Sequence, residues 1–253
     1  MQIARPRSIL APAVAIFMSC SVPAQSSKAI IDSAPAPSSI TTAWGTPQRE
    51  AAEHALRNLA ERLTANEDRT GIDRVLAVGR YSELRHATLG DGFEVNLIDP
   101  AQLLAGEPID ACIHGTGQWR FIVVAEGKPV GLLTVTHMRD GWKWVEVGAS
   151  ELSEEVATVE ARYARQTPAP RLRFVRSLQA VADFIEVTPA PVSGQSVNAQ
   201  YIPLRSARVS LDNLRAGASA TAAATAPPLA EPEMAAFLRA RVRSGMRDLR
   251  LTH

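Results

Sequence analysis

The chain has 253 residues, enough for one domain of ordinary size with its own hydrophobic core. Its 27 Lys and Arg residues nearly balance 26 Asp and Glu, for a formal net charge of +1. Proteins hold nucleic acid through many Lys and Arg contacts, and a near-neutral chain has no general field for it, so that class of partner is set aside.

The N-terminus predicts a secretory signal over residues 1–24. Arg5 and Arg7 precede the apolar stretch from Ile9 to Met18, interrupted by Pro12, and Val22-Pro23-Ala24 offers residues of the size a signal peptidase reads. The apolar stretch falls short of the roughly 20 residues needed to span a bilayer. The expected location is therefore periplasmic or secreted. Cys20, in Ser19-Cys20-Ser21, partly fits a lipoprotein signal, although Phe17 and Met18 sit where Leu and a small residue are usual. A soluble product cut after Ala24 is the reading, and membrane association through lipidated Cys20 is the alternative. Either way Cys112 becomes the only thiol available to the domain, which leaves no internal disulfide.

Residues 25–46, rich in Ser, Ala, Pro and Thr, read as a flexible leader. Pro47 to Ala65 predicts a helix, with Thr46 as cap, Pro47 in the first turn, and Ala52, Leu56, Leu59 and Leu63 along one side. Gly71 to Leu89 fits neither period cleanly. Phe93 to Ile98 alternates like a strand, Asp99-Pro100 ends it, and a short helical turn through Leu103 and Leu104 follows.

Gln118 to Ala149 predicts three antiparallel strands joined at Glu126-Gly127 and at Asp140-Gly141, the latter read as a two-residue hairpin loop. That register gathers Trp119, Phe121, Val123, Val130, Leu132, Val145 and Val147 on a core face. Arg120, Ile122, Val124, Leu133, Val135, His137, Trp144 and Glu146 fall on the other. The second face is apolar enough to need a cover, which the helix at Pro47 or a second one at Ser150 to Arg165 could supply.

Pro168 to Pro170 ends that second helix, Arg171 to Val187 has mixed period, and Tyr201 to Leu211 reads as a strand. Residues 212–232 form an Ala/Thr/Pro-rich linker. Residues 233–251 predict an amphipathic helix with Met234, Phe237, Leu238, Val242, Met246 and Leu249 in one stripe. It could dock on its own domain, enter a partner's groove or lie on a membrane; self-docking leads.

The stretch from Trp119 to Gly148, with its Gly127-Lys128-Pro129-Val130-Gly131 turn and the upstream Phe93-Glu94-Val95, resembles a strand-turn-strand module of uncharacterised exported bacterial proteins. The resemblance implies export and an α+β fold and brings no activity with it. The expected architecture is thus an α+β domain over 47–211, an antiparallel sheet with a central three-strand meander and helices packed against it.

Chemistry is harder to read. Cys112 and His114 invite a thiol-hydrolase reading with His114 or His86 as base, since a nucleophilic Cys needs a neighbour that lowers its pKa. The surrounding sequence carries no orienting signature, and a half-buried Cys before a Gly-rich loop is the plainer account. His86, His114, His137 and Cys112 lack the spacing of a metal site, and no phosphate loop or G-x-S-x-G element occurs, so no metal or cofactor is expected. The remaining candidate is a binding surface of His137, Trp142, Trp144 and Glu146, with His137 directly opposite Trp144 and Trp142 the more exposed of the two indoles. The competing account makes Trp144 a core residue beneath a covering helix. The functional expectation is an exported, non-catalytic binding or interaction module for a protein or small ligand of the cell envelope. The Cys112-dependent hydrolase is its alternative.

Overall fold

A computed structural model describes residues 46–66, 75–191, 198–214 and 227–251. The expected signal, almost all of the leader, and the middle of the expected linker lie outside the described residues. The fold is α+β, and among the described residues its elements assemble on a mixed sheet of eight strands in the order β4-β3-β2-β1-β5-β6-β7-β8. The strands are β1 (Thr88–Ile98), β2 (Ile113–Ala125), β3 (Lys128–Met138), β4 (Gly141–Gly148), β5 (Arg171–Ser177), β6 (Ala182–Thr188), β7 (Gln200–Pro203) and β8 (Leu229–Ala230). Among the described residues only β1 and β5 pair in parallel, and every other neighbouring pair is antiparallel. The three strands expected at the sheet's centre lie instead at one edge, with β4 outermost. The β5–β6 hairpin, whose mixed period hid it, joins β1 on the far side and moves the centre there.

The helices are α1 (Pro47–Ala65), α2 (Pro100–Ala105), α3 (Ile109–Cys112), α4 (Ser150–Tyr163), α5 (Arg205–Leu214) and α6 (Glu231–Leu251), with a short 3-10 helix at Tyr81–His86. Pro47 opens α1 as expected of a residue with no N–H to satisfy, but Thr46 makes no side-chain cap. Asp99 does cap α2, accepting from the N–H groups of Ala101 (2.7 Å) and Gln102 (3.2 Å). The expected strand from Tyr201 to Leu211 is in fact two elements, β7 and then α5, which turns Ala207 and Leu211 into the core.

Three apolar clusters hold these layers together. α1 lays Ala52, Ala55, Leu56, Leu59 and Ala60 on Phe121, Val123, Leu133 and Val135 of β2 and β3. α4 lays Val156, Val159 and Tyr163 on Ile122, Leu132, Phe174 and Ile185. α6 contributes Met234, Phe237, Leu238 and Val242 to a cluster with Val175, Phe184 and Tyr201. The part of the C-terminal stripe from Met234 to Val242 is thus taken up by its own sheet, to which β8 also ties the helix through Gln200↔Ala230 and Tyr201↔Leu229. Truncating a fully buried member such as Leu238, 0 % exposed, to Ala should cost about 2–5 kcal/mol.

The faces of β2 to β4 differ from the sequence reading in two places, each with a local cause. Glu126 and Gly127 both adopt positive φ (50° and 74°) and form the two-residue loop. Pairing then runs Val124↔Pro129 and Val123↔Gly131, so Val130 is an extra residue that exchanges the faces of Leu132 and Leu133. Phe121 therefore faces α1 beside Leu133, and Ile122 faces α4 beside Leu132.

Candidate functional site

The second turn fixes the candidate surface. Met138 pairs with Gly141, so the loop residues are Arg139 and Asp140 and not Asp140-Gly141. Gly141 takes a φ of 107° while neither loop residue has positive φ, the pattern of a type I turn closed by a glycine bulge. His137 consequently stands opposite Trp142, and Val135 stands opposite Trp144. The direct His137–Trp144 pairing expected from sequence does not occur, although the shift of two preserves their common face. Edge-on contact between His137 and Trp142, 5.4 Å between ring centres, replaces it.

A second bulge removes Glu146 from the group. Thr134 pairs with Glu146 and Val135 with Trp144, which leaves Val145 unmatched and turns Glu146 to the opposite side. There it faces Arg120, whose Nη2 lies 3.4 Å from Glu146 Oε2. Arg120 is itself buried, and burial together with the nearby Arg176 guanidinium lowers its pKa from the usual arginine value. The predicted quartet therefore divides: His137, Trp142 and Trp144 share a face, and Glu146 serves the other.

The two indoles differ in the sense opposite to that expected. Trp142 is half-buried against the α1 cluster, whereas Trp144 is 37 % exposed. Nearness to a turn does not decide exposure here, because α1 lies over the β3–β4 hairpin and reaches Trp142. Trp144 is nevertheless fixed. Its Nε1–H donates to the Glu146 carbonyl oxygen at 3.0 Å, and the Arg62 guanidinium sits 5.4 Å from its ring centre.

These residues form one wall of an open groove of about 670 Å³ between α1 and β4. Trp142, Lys143 and Trp144 line the strand side; Ala51, His54, Ala55, Asn58, Glu61 and Arg62 line the helix side. The helix side consists mostly of polar positions of α1, and nothing local in the sequence indicates which strand they would face. Asn58 Nδ2 lies 3.3 Å from His54 Nδ1, one turn away, and Lys143 pairs with Asp140 at 3.0 Å.

Cys112 does not present the geometry of a nucleophile. It closes α3 instead of lying in a strand with His114, is 0 % exposed, and its thiol lies within hydrogen-bond reach of the Pro108 carbonyl at 3.3 Å. Burial pushes its pKa up, against the requirement for a thiolate. His114 is engaged with Gln102 Oε1 at 2.8 Å. His86 precedes the opposite end of β1 from the Asp99 N–H to Cys112 carbonyl bond, and a strand of that length separates its ends by roughly 30 Å. Among the described residues no three His, Cys, Asp or Glu side chains come together as a metal site would require.

Two other cavities are braced by their own polar groups. One, of about 700 Å³, lies where the α2–α3 loop meets β8 and the start of α6. There Glu231 accepts from Ile109 N–H (3.0 Å), Glu233 from Ala230 N–H (2.9 Å), and Arg239 donates to the Leu103 carbonyl (2.8 Å). The other, of about 500 Å³, contains Ser82, Glu83 and His86, and Glu83 is committed to the N–H groups of Gly79 and Arg80. These contacts hold loops in place. Sequence reasoning also missed the buried pair Arg173 and Glu186 (2.7 Å), which with Asp110 (2.5 Å) fastens β5 and β6 to α3.

Comparison with known proteins gave no match: no family model fits the sequence, and no curated protein or solved structure is significantly similar to it. Among the described residues no helix is long and apolar enough to cross a membrane.

Proposed function

We propose that this protein is an exported, non-catalytic interaction module of the cell envelope and that its partner binds in the groove between α1 and β4. One observation carries the reading: Trp144 is a large exposed aromatic whose Nε1–H is bonded to the Glu146 carbonyl oxygen and whose ring is met by the Arg62 guanidinium. A rigid aromatic gives up little conformational entropy on binding, and such residues dominate recognition surfaces when flanked by polar groups. Half-buried Trp142 extends the apolar floor, and the helix wall supplies the polar groups that would orient a partner. Export, to the periplasm or beyond, rests on Arg5, Arg7 and the apolar run through Met18, with Cys20 lipidation as the alternative anchor.

The test is site-specific photo-cross-linking in the envelope of an expressing bacterium. A photoreactive residue at Asn58, in the groove, should give a defined adduct that Trp144→Ala abolishes. The same residue at Glu154, exposed on α4, should not. Equal adducts from both positions, or an Asn58 adduct indifferent to Trp144→Ala, would contradict the proposal.

A further inference from the structure

The geometry points to an uncharged oligosaccharide as the occupant of the α1–β4 groove, an inference that rests on the groove being the binding site. The strand wall bears Trp142 and Trp144 at i and i+2, so their side chains leave the same face about 7 Å apart. A pyranose ring has an apolar C–H face that packs on an indole and a rim of hydroxyls that needs hydrogen-bond partners. The opposite wall supplies such partners in both senses. Arg62, over the Trp144 ring, offers donors, Glu61 offers acceptors, the Asn58 amide keeps its Oδ1 acceptor, and His54, whose Nδ1 meets Asn58 Nδ2, keeps its Nε2.

Charge narrows the choice. Glu61 and Arg62 are adjacent and of opposite sign, and Lys143 is paired with Asp140 at 3.0 Å. Charges of both signs line the groove, so neither an anion nor a cation is singled out, whereas a polyhydroxylated neutral molecule can hydrogen-bond to donors and acceptors alike. An extended peptide adding to the open edge of β4 is disfavoured by the same strand. The bulge at Val145 breaks the regular repeat of its backbone groups, and Lys143 lies on the edge, two features that block strand addition. Recognition must then come from side chains in the groove, and its volume lies within the range of small-molecule sites.

The experiment is calorimetric titration of the folded protein with neutral tetrasaccharides: β-1,4-linked glucose, β-1,4-linked N-acetylglucosamine and α-1,4-linked glucose. Each is taken to about 10 mM, where even a 1 mM Kd would fill most sites. At least one should bind saturably, with an affinity unchanged between low and high salt. Trp144→Ala and Asn58→Ala should each weaken binding by about tenfold or more, the second at an exposed helix position that leaves folding intact. Absence of binding by all three would overturn the inference, as would binding that both variants retain, or affinity that falls steeply with salt. A Trp144-dependent protein adduct from Asn58 without saccharide binding would overturn this assignment and leave the interaction module standing. Failure of both experiments removes the groove altogether.

Discussion

Glu160 offers a prediction whose sign and size follow from one side chain. It lies on α4, where burial, reinforced by the negative charge of Asp91, raises its carboxyl pKa from an ordinary 4.5 to about 8. Its Oε1 is buried and has no hydrogen-bond partner among the described residues. The folded protein therefore keeps this proton at neutral pH, whereas the unfolded chain has lost it. Between these two values the native state binds more protons than the unfolded state. The stabilisation is complete below pH 4.5 and disappears as pH rises through about 8, at about 1.4 kcal/mol per pH unit. From pH 6 to pH 9 the unfolding free energy should fall by roughly 3 kcal/mol on this account. Urea denaturation at a series of pH values measures it, with Glu160→Gln as reference, because the amide preserves shape and cannot ionise. The variant should match the native protein near pH 4, exceed it by about 2 kcal/mol at pH 6, and exceed it by about 5 kcal/mol at pH 9. Parallel pH profiles for the two proteins would refute the reasoning, since they would mean that Glu160 ionises freely in the fold.

Trp142→Ala should cost more stability than Trp144→Ala. The first removes a half-buried indole from the α1 cluster and should approach the low end of the 3–5 kcal/mol of core aromatic truncations. The second loses one exposed hydrogen bond and one exposed cation–π contact, about 1–2 kcal/mol together, and thermal melts rank them. Arg49, 2 % exposed, donates to the carbonyls of Leu89 (2.8 Å) and Gly90 (3.0 Å) where β1 is irregular. Arg49→Ala should cost roughly 3 kcal/mol or more in urea denaturation, and Lys should not rescue it because one ammonium cannot reproduce the fork. Cys112 should resist alkylation in the native state and react at the rate of unfolding; rapid labelling at mildly acidic pH would show a thiolate that burial does not allow.

How much of this was legible beforehand depends on whether the signal was local. α1, with its proline start and apolar spacing, and the caps around Asp99-Pro100 follow from nearby residues alone, as do the three strands from 118 to 149. What escaped was register and neighbourhood. The Val130 and Val145 bulges exchange faces and the glycine-closed turn shifts the register by two, and an alternating pattern tolerates each choice. The short β7 and β8 strands, of four and two residues, carry too little periodicity to be seen, and β8 emerges from Ala/Pro-rich sequence. Of the candidate site, Trp142, Trp144 and His137 were legible as side chains on one face. Their partners His54, Asn58 and Arg62 were not, because only the packing of α1 over β4 brings them there.

The groove is tested most directly by fluorine NMR of the protein labelled with 5-fluorotryptophan, titrated with the saccharide panel and then with detergent-solubilised envelope extract. The chain has four tryptophans, three of them among the described residues, so each resonance can be assigned by single substitution to Phe. The account predicts that a bound partner shifts the Trp142 and Trp144 resonances together and leaves Trp119, packed on the α1 cluster, unmoved. A partner that shifts Trp119 while Trp142 and Trp144 stay in place would contradict it.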